Sequence, residues 1–309
     1  IYPMSPKPKI LIIVGPTAGG KTALALRLAK GKPVSIISAD SRQVYKGLDV
    51  LTCKDIPPTT GTIRLFGFDL IKPDQTMNAA QYSDRIRAII DSEIKENRQV
   101  IIVGGTGFYL KALTQPAALA KVAPDEKLRQ KLNHLSVDEL QQKLKDIDPG
   151  RLAAMNRSDV NNPRRLIRAI EVSTSTSTPG ESGVPSTPGV DQVCTHRVNF
   201  HWIGLTVPLE VIKDRVRLRV NARLDTAVSE VKELIAAYPD RSLPIYTSLG
   251  VKQILKYLAG EISREEMKDG WVTDEVNYAK RQLTWFAKQQ QIIWYDLDEV
   301  SKLNFDKLV

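Results

Sequence analysis

Ile10-Leu11-Ile12-Ile13-Val14-Gly15-Pro16-Thr17-Ala18-Gly19-Gly20-Lys21-Thr22 runs from an apolar segment through a glycine-rich turn into a helix-forming stretch. Strand, loop and helix in that order make a phosphate cradle. Glycines let successive main-chain N–H groups turn inward, and the new helix adds its positive end. Lys21 supplies a point charge, and the Thr22 hydroxyl can ligate Mg²⁺. Every fixed position from Gly15, Pro16, Thr17 and Ala18 through Gly19, Gly20, Lys21 and Thr22 fits the pattern, as do both flanks. A di- or triphosphate ligand is therefore read here in preference to a chance glycine-rich turn. Whether that phosphate is transferred, hydrolysed or expelled, the loop alone leaves open.

Four further apolar runs, Val34–Ser38, Val100–Val103, Phe200–Leu205 and Ile292–Tyr295, alternate with segments of helical periodicity. The alternation predicts a doubly wound, P-loop NTPase-like α/β fold, a parallel sheet flanked by helices. Between Gln115 and Val193 the strand signal vanishes, and helical segments near 125–133, 137–146 and 163–172 replace it. The chain is thus expected to divide into a catalytic core, residues 1–114 and 196–309, and an inserted helical subdomain, residues 115–195. The insertion ends in a Ser/Thr/Pro/Gly-rich tract, residues 173–189, too poor in apolar groups to order itself, and a flexible surface loop is expected there.

In a nucleotide hydrolase of this architecture a later strand ends in an acid that holds the magnesium ion. Here Val100–Val103 runs instead into Gly104-Gly105-Thr106-Gly107. An acid appears earlier, where Asp40-Ser41 follows Val34–Ser38 at the sheet edge that binds ligands in open parallel sheets. A carboxylate beside a phosphate loop suits an acceptor-binding or proton-accepting role. Its competing reading is the N-cap of a short helix.

Composition narrows the classes. The 309 residues are 42% hydrophobic, ordinary for a chain with a sizeable core, and no stretch approaches the length of a membrane span. The opening residues lack the charged-then-apolar layout of a secretory signal. Cys53 and Cys194 are isolated, which fits a reducing cytoplasm, and His134, His196 and His201 lack metal-ligand spacing. His201 alternates with apolar neighbours and reads as a packed or edge residue. A formal charge of +9 argues for a polyanionic partner only where the cations cluster. After Pro208 one such cluster stands on a long helix: Ile212, Val216, Val220 and Leu224 form an apolar stripe, with Arg215, Arg219 and Arg223 beside it. That basic row is either a phosphate contact or a solvated face. Near the end of the chain, Tyr278–Phe286 mixes Lys280 and Arg281 with Trp285 and Phe286, a pattern of core aromatics or of backbone clamping and base stacking.

Taken in order, these segments resemble the tRNA dimethylallyltransferase (tRNA isopentenyltransferase) family. The resemblance rests on Gly15–Thr22, Asp40–Asp49, Gly104–Tyr109, Asn162–Glu171, Leu249–Gln253 and the run Tyr-Ala-Lys-Arg-Gln-Leu-Thr-Trp-Phe at 278–286. It implies transfer of a dimethylallyl group from dimethylallyl diphosphate to N6 of adenosine 37 of tRNA, with diphosphate leaving. By the same resemblance Asp40 is the base, Lys21 and Arg219 steady the departing diphosphate, and Thr17 lines the donor site. Thr22 would hold Mg²⁺. Asp40, Ser41, Arg42, Gln43, Thr106, Arg164, Arg165, Arg168, Gly250, Lys252, Gln253, Lys280, Arg281, Gln282 and Trp285 would meet the tRNA, the helical insertion gripping the anticodon stem. The implied protein is a cytoplasmic monomer whose partners are the tRNA anticodon stem-loop and a prenyl diphosphate, with no membrane. Two departures stand out: Val251 where the family commonly has an aromatic, and Arg223 where a Met is common.

Three other readings share features with this one. A small-molecule P-loop kinase also pairs the loop with an acid after its second strand. An adenylate isopentenyltransferase uses the same donor on free nucleotides and needs no 278–286 segment. A non-catalytic RNA-binding ATPase would bind RNA in response to nucleotide and leave no product.

Overall fold

The apolar runs become five strands of a six-stranded parallel sheet, four of them inside it and Ile292–Tyr295 at one edge. The computed structural model describes residues 8–54, 62–116, 122, 124–176, 198–305 and 308. Strands β1 (Lys9–Val14), β2 (Val34–Ser38), β3 (Ile63–Phe66), β4 (Gln99–Val103), β5 (Asn199–Leu205) and β6 (Ile292–Tyr295) lie in the order β3-β2-β4-β1-β5-β6. Every pairing is parallel, with Leu11 opposite Ile101 on one side of β1 and opposite His201 on the other. Crossovers cover both faces, so Ile10, Leu11, Ile12, Ile13 and Val14 are all buried, which is why the run is continuous rather than alternating. Each such side chain contributes about 1.5–3 kcal/mol of burial.

The sequence reading found five of these strands and missed β3. β3 is four residues long, sits at the sheet edge and exposes Arg64, which pairs with Glu93 and Glu96. A short edge strand with a charge in its middle has no continuous apolar signal. His201 lies on β5, paired with Leu11 of β1 one residue before the β6 pairing begins at Trp202; burial lowers its pKa.

Two compact units are formed, residues 1–116 with 192–309, and residues 117–191. In the first, α1 (Lys21–Ala29) and α2 (Ala79–Lys95) connect the early strands, and α3 (Gly107–Thr114) follows β4. The second holds α4 (Glu126–Leu132), α5 (Val137–Ile147), α6 (Pro149–Ala154), α7 (Arg157–Val160) and α8 (Pro163–Thr176) around Leu132, Leu140, Leu144, Leu166, Ile167 and Ile170. Back in the first unit come α9 (Leu209–Ala237), α10 (Val251–Leu258), α11 (Arg264–Phe286) and α12 (Leu297–Ser301). A capping box, Ser263 with Glu266, starts α11. On α9 the stripe Ile212, Val216, Val220 and Leu224 is buried and continues through Ala227, Val231 and Leu234.

The Ser/Thr-rich tract does not begin as a loop. Residues 173–176 continue α8, and the buried Ser173 hydroxyl donates to Asp148 Oδ2 at 2.8 Å, so the helix is anchored past the point where composition turns polar. Residues 177–189 of the tract, with Cys194 and His196, lie outside the described residues.

Candidate active site

The phosphate loop lies at the carboxyl end of β1, where the neighbouring strands depart in opposite directions along the sheet, the crevice that open α/β sheets use for ligands. Its tight course needs backbone that L-residues avoid. Gly20 has φ +92° as the N-cap of α1, and Ala18 takes φ +57°. The Lys21 ammonium donates to the Pro16 carbonyl at 2.7 Å, folding over the loop it serves. Desolvation lowers its pKa to about 8; the Asp40 carboxylate raises it in part, and the Arg219 charge lowers it further.

One cavity of about 570 Å³ takes in Thr17, Gly19, Gly20, Lys21, Thr22, Asp40, Ser41, Arg42, Gln43, Arg219, Arg281 and Gln282. Segments some 265 positions apart thus share one wall. Asp40 is half-buried, and its Oδ1 accepts the Arg42 N–H at 2.8 Å. No helix follows it, so the N-cap reading fails: the bond closes a turn, and the residues after it are turn. Thr106 Oγ1 accepts the Ser41 N–H at 3.0 Å, tying the loop after β4 to the loop after β2.

α9 and α11 complete the cradle. Arg215 Nη1 donates to the Ala18 carbonyl at 3.3 Å, and Arg219 Nη2 donates to Thr17 Oγ1 at 2.8 Å. The basic row is therefore no solvated face. Arg219 also pairs with the buried carboxylate of Glu275, whose other oxygen accepts Trp271 Nε1–H at 2.9 Å. Sequence reasoning missed Glu275, and it missed Tyr278, which lines the cavity under the Arg281 guanidinium at 5.7 Å from its ring. Burial, with the Asp40 charge adding to it, pushes the Tyr278 hydroxyl up to about 12 despite bonds to Thr106 and Gln282. The signal was available: Trp271, Glu275, Tyr278, Gln282 and Trp285 recur at steps of four, three, four and three, one line along a helix.

Several residues that the resemblance assigned to RNA are engaged within the protein. Gln282 is buried; its Oε1 accepts the Thr17 N–H at 2.7 Å and its Nε2 donates to the Gly105 carbonyl at 3.1 Å. A Cβ on Gly105 would strike that amide, and one on Gly107 would come within 2.5 Å of three atoms of the Trp285 ring. The Gln43 amide accepts the Ser38 hydroxyl at 2.5 Å and donates to the carbonyls of Thr52 and Cys53. Arg42 reaches the Pro244 carbonyl and Thr247 Oγ1, each at 2.9 Å. Gly250 opens α10 at φ +85° with the Trp271 ring 2.6 Å from where a Cβ would stand. Val251, where an aromatic is common, is fully buried.

Lys252 and Gln253 line a separate groove of about 580 Å³ with Arg241, Lys256 and Asp274. Lys280 is exposed and Trp285 half-buried. In the second unit Arg164 is exposed and Arg165 pairs with Asp159. Arg168 donates to Glu171 Oε2 at 2.9 Å and to the Val122 carbonyl at 2.7 Å, and Arg129 binds the same carboxylate. Burial alone would raise the pKa of Glu171, but the bonds from Arg129, Arg168 and the Asp125 N–H outweigh it and hold the carboxyl below its usual range. Among the described residues no three His, Cys, Asp or Glu gather as a metal site, and no helix is long and apolar enough to cross a membrane.

The IPP transferase family model matches residues 43–289. A tRNA dimethylallyltransferase of Acetivibrio thermocellus is 36% identical, over 94% of this chain and 92% of its own length. One from Trichormus variabilis is 34% identical over 96% and 97%. The solved tRNA isopentenylpyrophosphate transferase of Bacillus halodurans superposes with a TM-score of 0.65 at 32% identity, covering 97% of this chain and 93% of that one. A eukaryotic dimethylallyltransferase acting on tRNA reaches 0.74 at 21% identity, over 96% of this chain and 75% of its own, a likeness of fold. With a phosphate cradle facing Asp40 and these similarities over nearly its full length, the chain belongs to the IPP transferase family, the tRNA dimethylallyltransferases.

Proposed function

We propose that the protein transfers a dimethylallyl group from dimethylallyl diphosphate to N6 of adenosine 37 of tRNA, 3′ of the anticodon, and releases diphosphate. The observation that carries this reading is the sharing of one cavity by the phosphate loop and the Asp40 carboxylate, with Lys21 and Arg219 lining the same cavity. The N6–C1 bond forms as the C1–O bond of the donor breaks, and the N6 proton passes to Asp40. An exocyclic adenine amine is a weak nucleophile because its lone pair is delocalised, so removing its proton as the bond forms helps the reaction. Charge grows on the leaving diphosphate, where Lys21, Arg219 and the loop N–H groups stabilise it more than they stabilise the ground state.

A magnesium ion fits the donor set, which is oxygen only: the Thr22 hydroxyl and the diphosphate itself would hold it, and it would neutralise leaving-group charge. The adenine must leave its stack to reach this cavity, and an anticodon-loop base costs less to extrude than a paired one. Exposed Lys280 and Arg281, half-buried Trp285 and the groove beside Lys252 support a nucleic-acid acceptor over a free nucleotide. The insertion, residues 115–195, is assigned to the anticodon stem through Arg164 and Arg165. The protein acts as a monomer in the cytoplasm.

Incubation of carbon-labelled dimethylallyl diphosphate with unmodified tRNA tests the reading. Label is expected in RNA and, after digestion, in N6-prenyladenosine. Label on free adenine nucleotides alone, or a γ-phosphoryl from ATP on any acceptor, overturns it.

A further inference from the structure

Glu275 poses a physical question. A buried carboxylate lines a cavity built to attract a diphosphate, and negative charge there works against that attraction. Its side chain is 3% exposed and held at both oxygens, one by the Trp271 indole N–H at 2.9 Å and the other by Arg219. Trp271 is itself enclosed: it is 1% exposed and its ring packs on Gly250 at the start of α10. Arg219 in turn donates to the Thr17 hydroxyl inside the phosphate loop at 2.8 Å. Trp271, Glu275, Arg219 and Thr17 thus form an unbroken chain from the α10–α11 packing to the loop.

An arginine on a flexible stem gains from being pinned before the reaction, because the rotamer freedom is then lost on folding and not at each turnover. Glu275 uses one guanidinium nitrogen for that purpose, and the charge it neutralises is the loss in ground-state attraction. We propose that Glu275 is the positioning residue for Arg219: it sets the guanidinium against Thr17, so that Arg219 meets the diphosphate where leaving-group charge develops and lowers the barrier more than it tightens donor binding. The inference rests on the transfer reaction proposed above.

Two features separate it from a merely structural role. First, the effect falls on kcat and leaves the donor KM nearly unchanged. Second, it depends on Arg219. Glu275→Gln keeps the shape and one acceptor while removing the charge, and should lower kcat at least tenfold with the donor KM within about threefold. In an Arg219→Ala background the same change should have no further effect, since nothing is left to position. Trp271→Phe, which frees one carboxylate oxygen, should show a smaller loss of kcat that Arg219→Ala also cancels. Affinity for inorganic pyrophosphate, measured by calorimetry, should stay equal or rise in Glu275→Gln, a readout independent of prenyl transfer. Failure of wild-type prenyl transfer would sink the reaction assignment alone. Wild-type kcat in Glu275→Gln, or losses that multiply with Arg219→Ala, would overturn the positioning role.

Discussion

Gln282 Oε1 accepts the main-chain N–H of Thr17 at 2.7 Å, so a residue near the end of the chain completes the phosphate loop near its start. Its amide nitrogen holds the Gly105 carbonyl at 3.1 Å, which joins the loops after β1 and β4 through one side chain. Gln282→Leu leaves both backbone groups buried and short of a partner, at about 1–3 kcal/mol each. The melting temperature should fall and the donor KM should rise. Calorimetric melting with and without pyrophosphate checks this; an unchanged melt and donor KM would return Gln282 to an RNA-contacting role.

Lys21 gives a pH dependence with a definite sign. Its pKa in the empty site is lowered to about 8, chiefly by desolvation, and a bound diphosphate would raise it again. Binding therefore takes up a proton above that value, and affinity should weaken as pH rises, by up to about tenfold per unit. Isothermal titration at about pH 9 in two buffers of different ionisation enthalpy reports the proton uptake directly. Lys21→Met should abolish it, and wild-type binding without proton uptake would contradict the assignment.

Asp40 is half-buried and its Oδ1 accepts the Arg42 N–H in a local turn, so its removal should spare the fold. Asp40→Ala is expected to reduce kcat by about 10²–10⁴, the span for a positioned general base, with tRNA affinity kept. Filter binding and single-turnover kinetics separate the two. A variant that binds RNA poorly yet turns over normally at saturation would refute the base role.

Charge removal should sort RNA contacts from internal pairs. Lys280→Ala should weaken tRNA binding and lower the slope of log affinity against log salt by about one. Arg168→Ala should act on stability instead, because the Glu171 carboxylate stays buried with one cation fewer, at about 1–3 kcal/mol. A salt series for each variant, beside its melting curve, decides. A slope lowered by Arg168→Ala with no loss of stability would place that guanidinium on phosphate.

Gly107→Ala tests the packing of α3 on α11. The added methyl meets the Trp285 ring, which must move. Lower tRNA affinity with donor KM intact is expected, read from steady-state kinetics at varied tRNA. Wild-type kinetics would mean Trp285 makes no contact that matters to the acceptor.

What the chain shows without coordinates follows from the range over which each signal acts. The phosphate loop, β1 and α1 are contiguous, β2 and β4 are almost wholly buried apolar runs, and β5 and the edge strand β6, though partly exposed, still carry short β-branched and aromatic runs that announce them. β3 is the exception because Arg64 interrupts an edge strand of four residues. Asp40 was legible from its place after β2. Glu275 was legible only through its place on the line with Trp271, Tyr278, Gln282 and Trp285; taken locally, the acidic pair in Val-Thr-Asp-Glu-Val-Asn reads as solvated surface until Arg219 is seen opposite it. Gln282 sits in a run of cations and aromatics that suggests RNA, while its partners lie 265 and 177 positions away. Arg168 differs: its carboxylate partner Glu171 lies one turn on, in the same motif, yet a helix rich in arginine draws the eye to phosphate before the internal pair.

Trp271, Glu275, Tyr278, Gln282 and Trp285 stand on one line of α11, and each is committed to a different neighbour. Sliding the helix by even half a turn would unseat all five together, so α11 works as a ruler whose graduations cannot be moved singly.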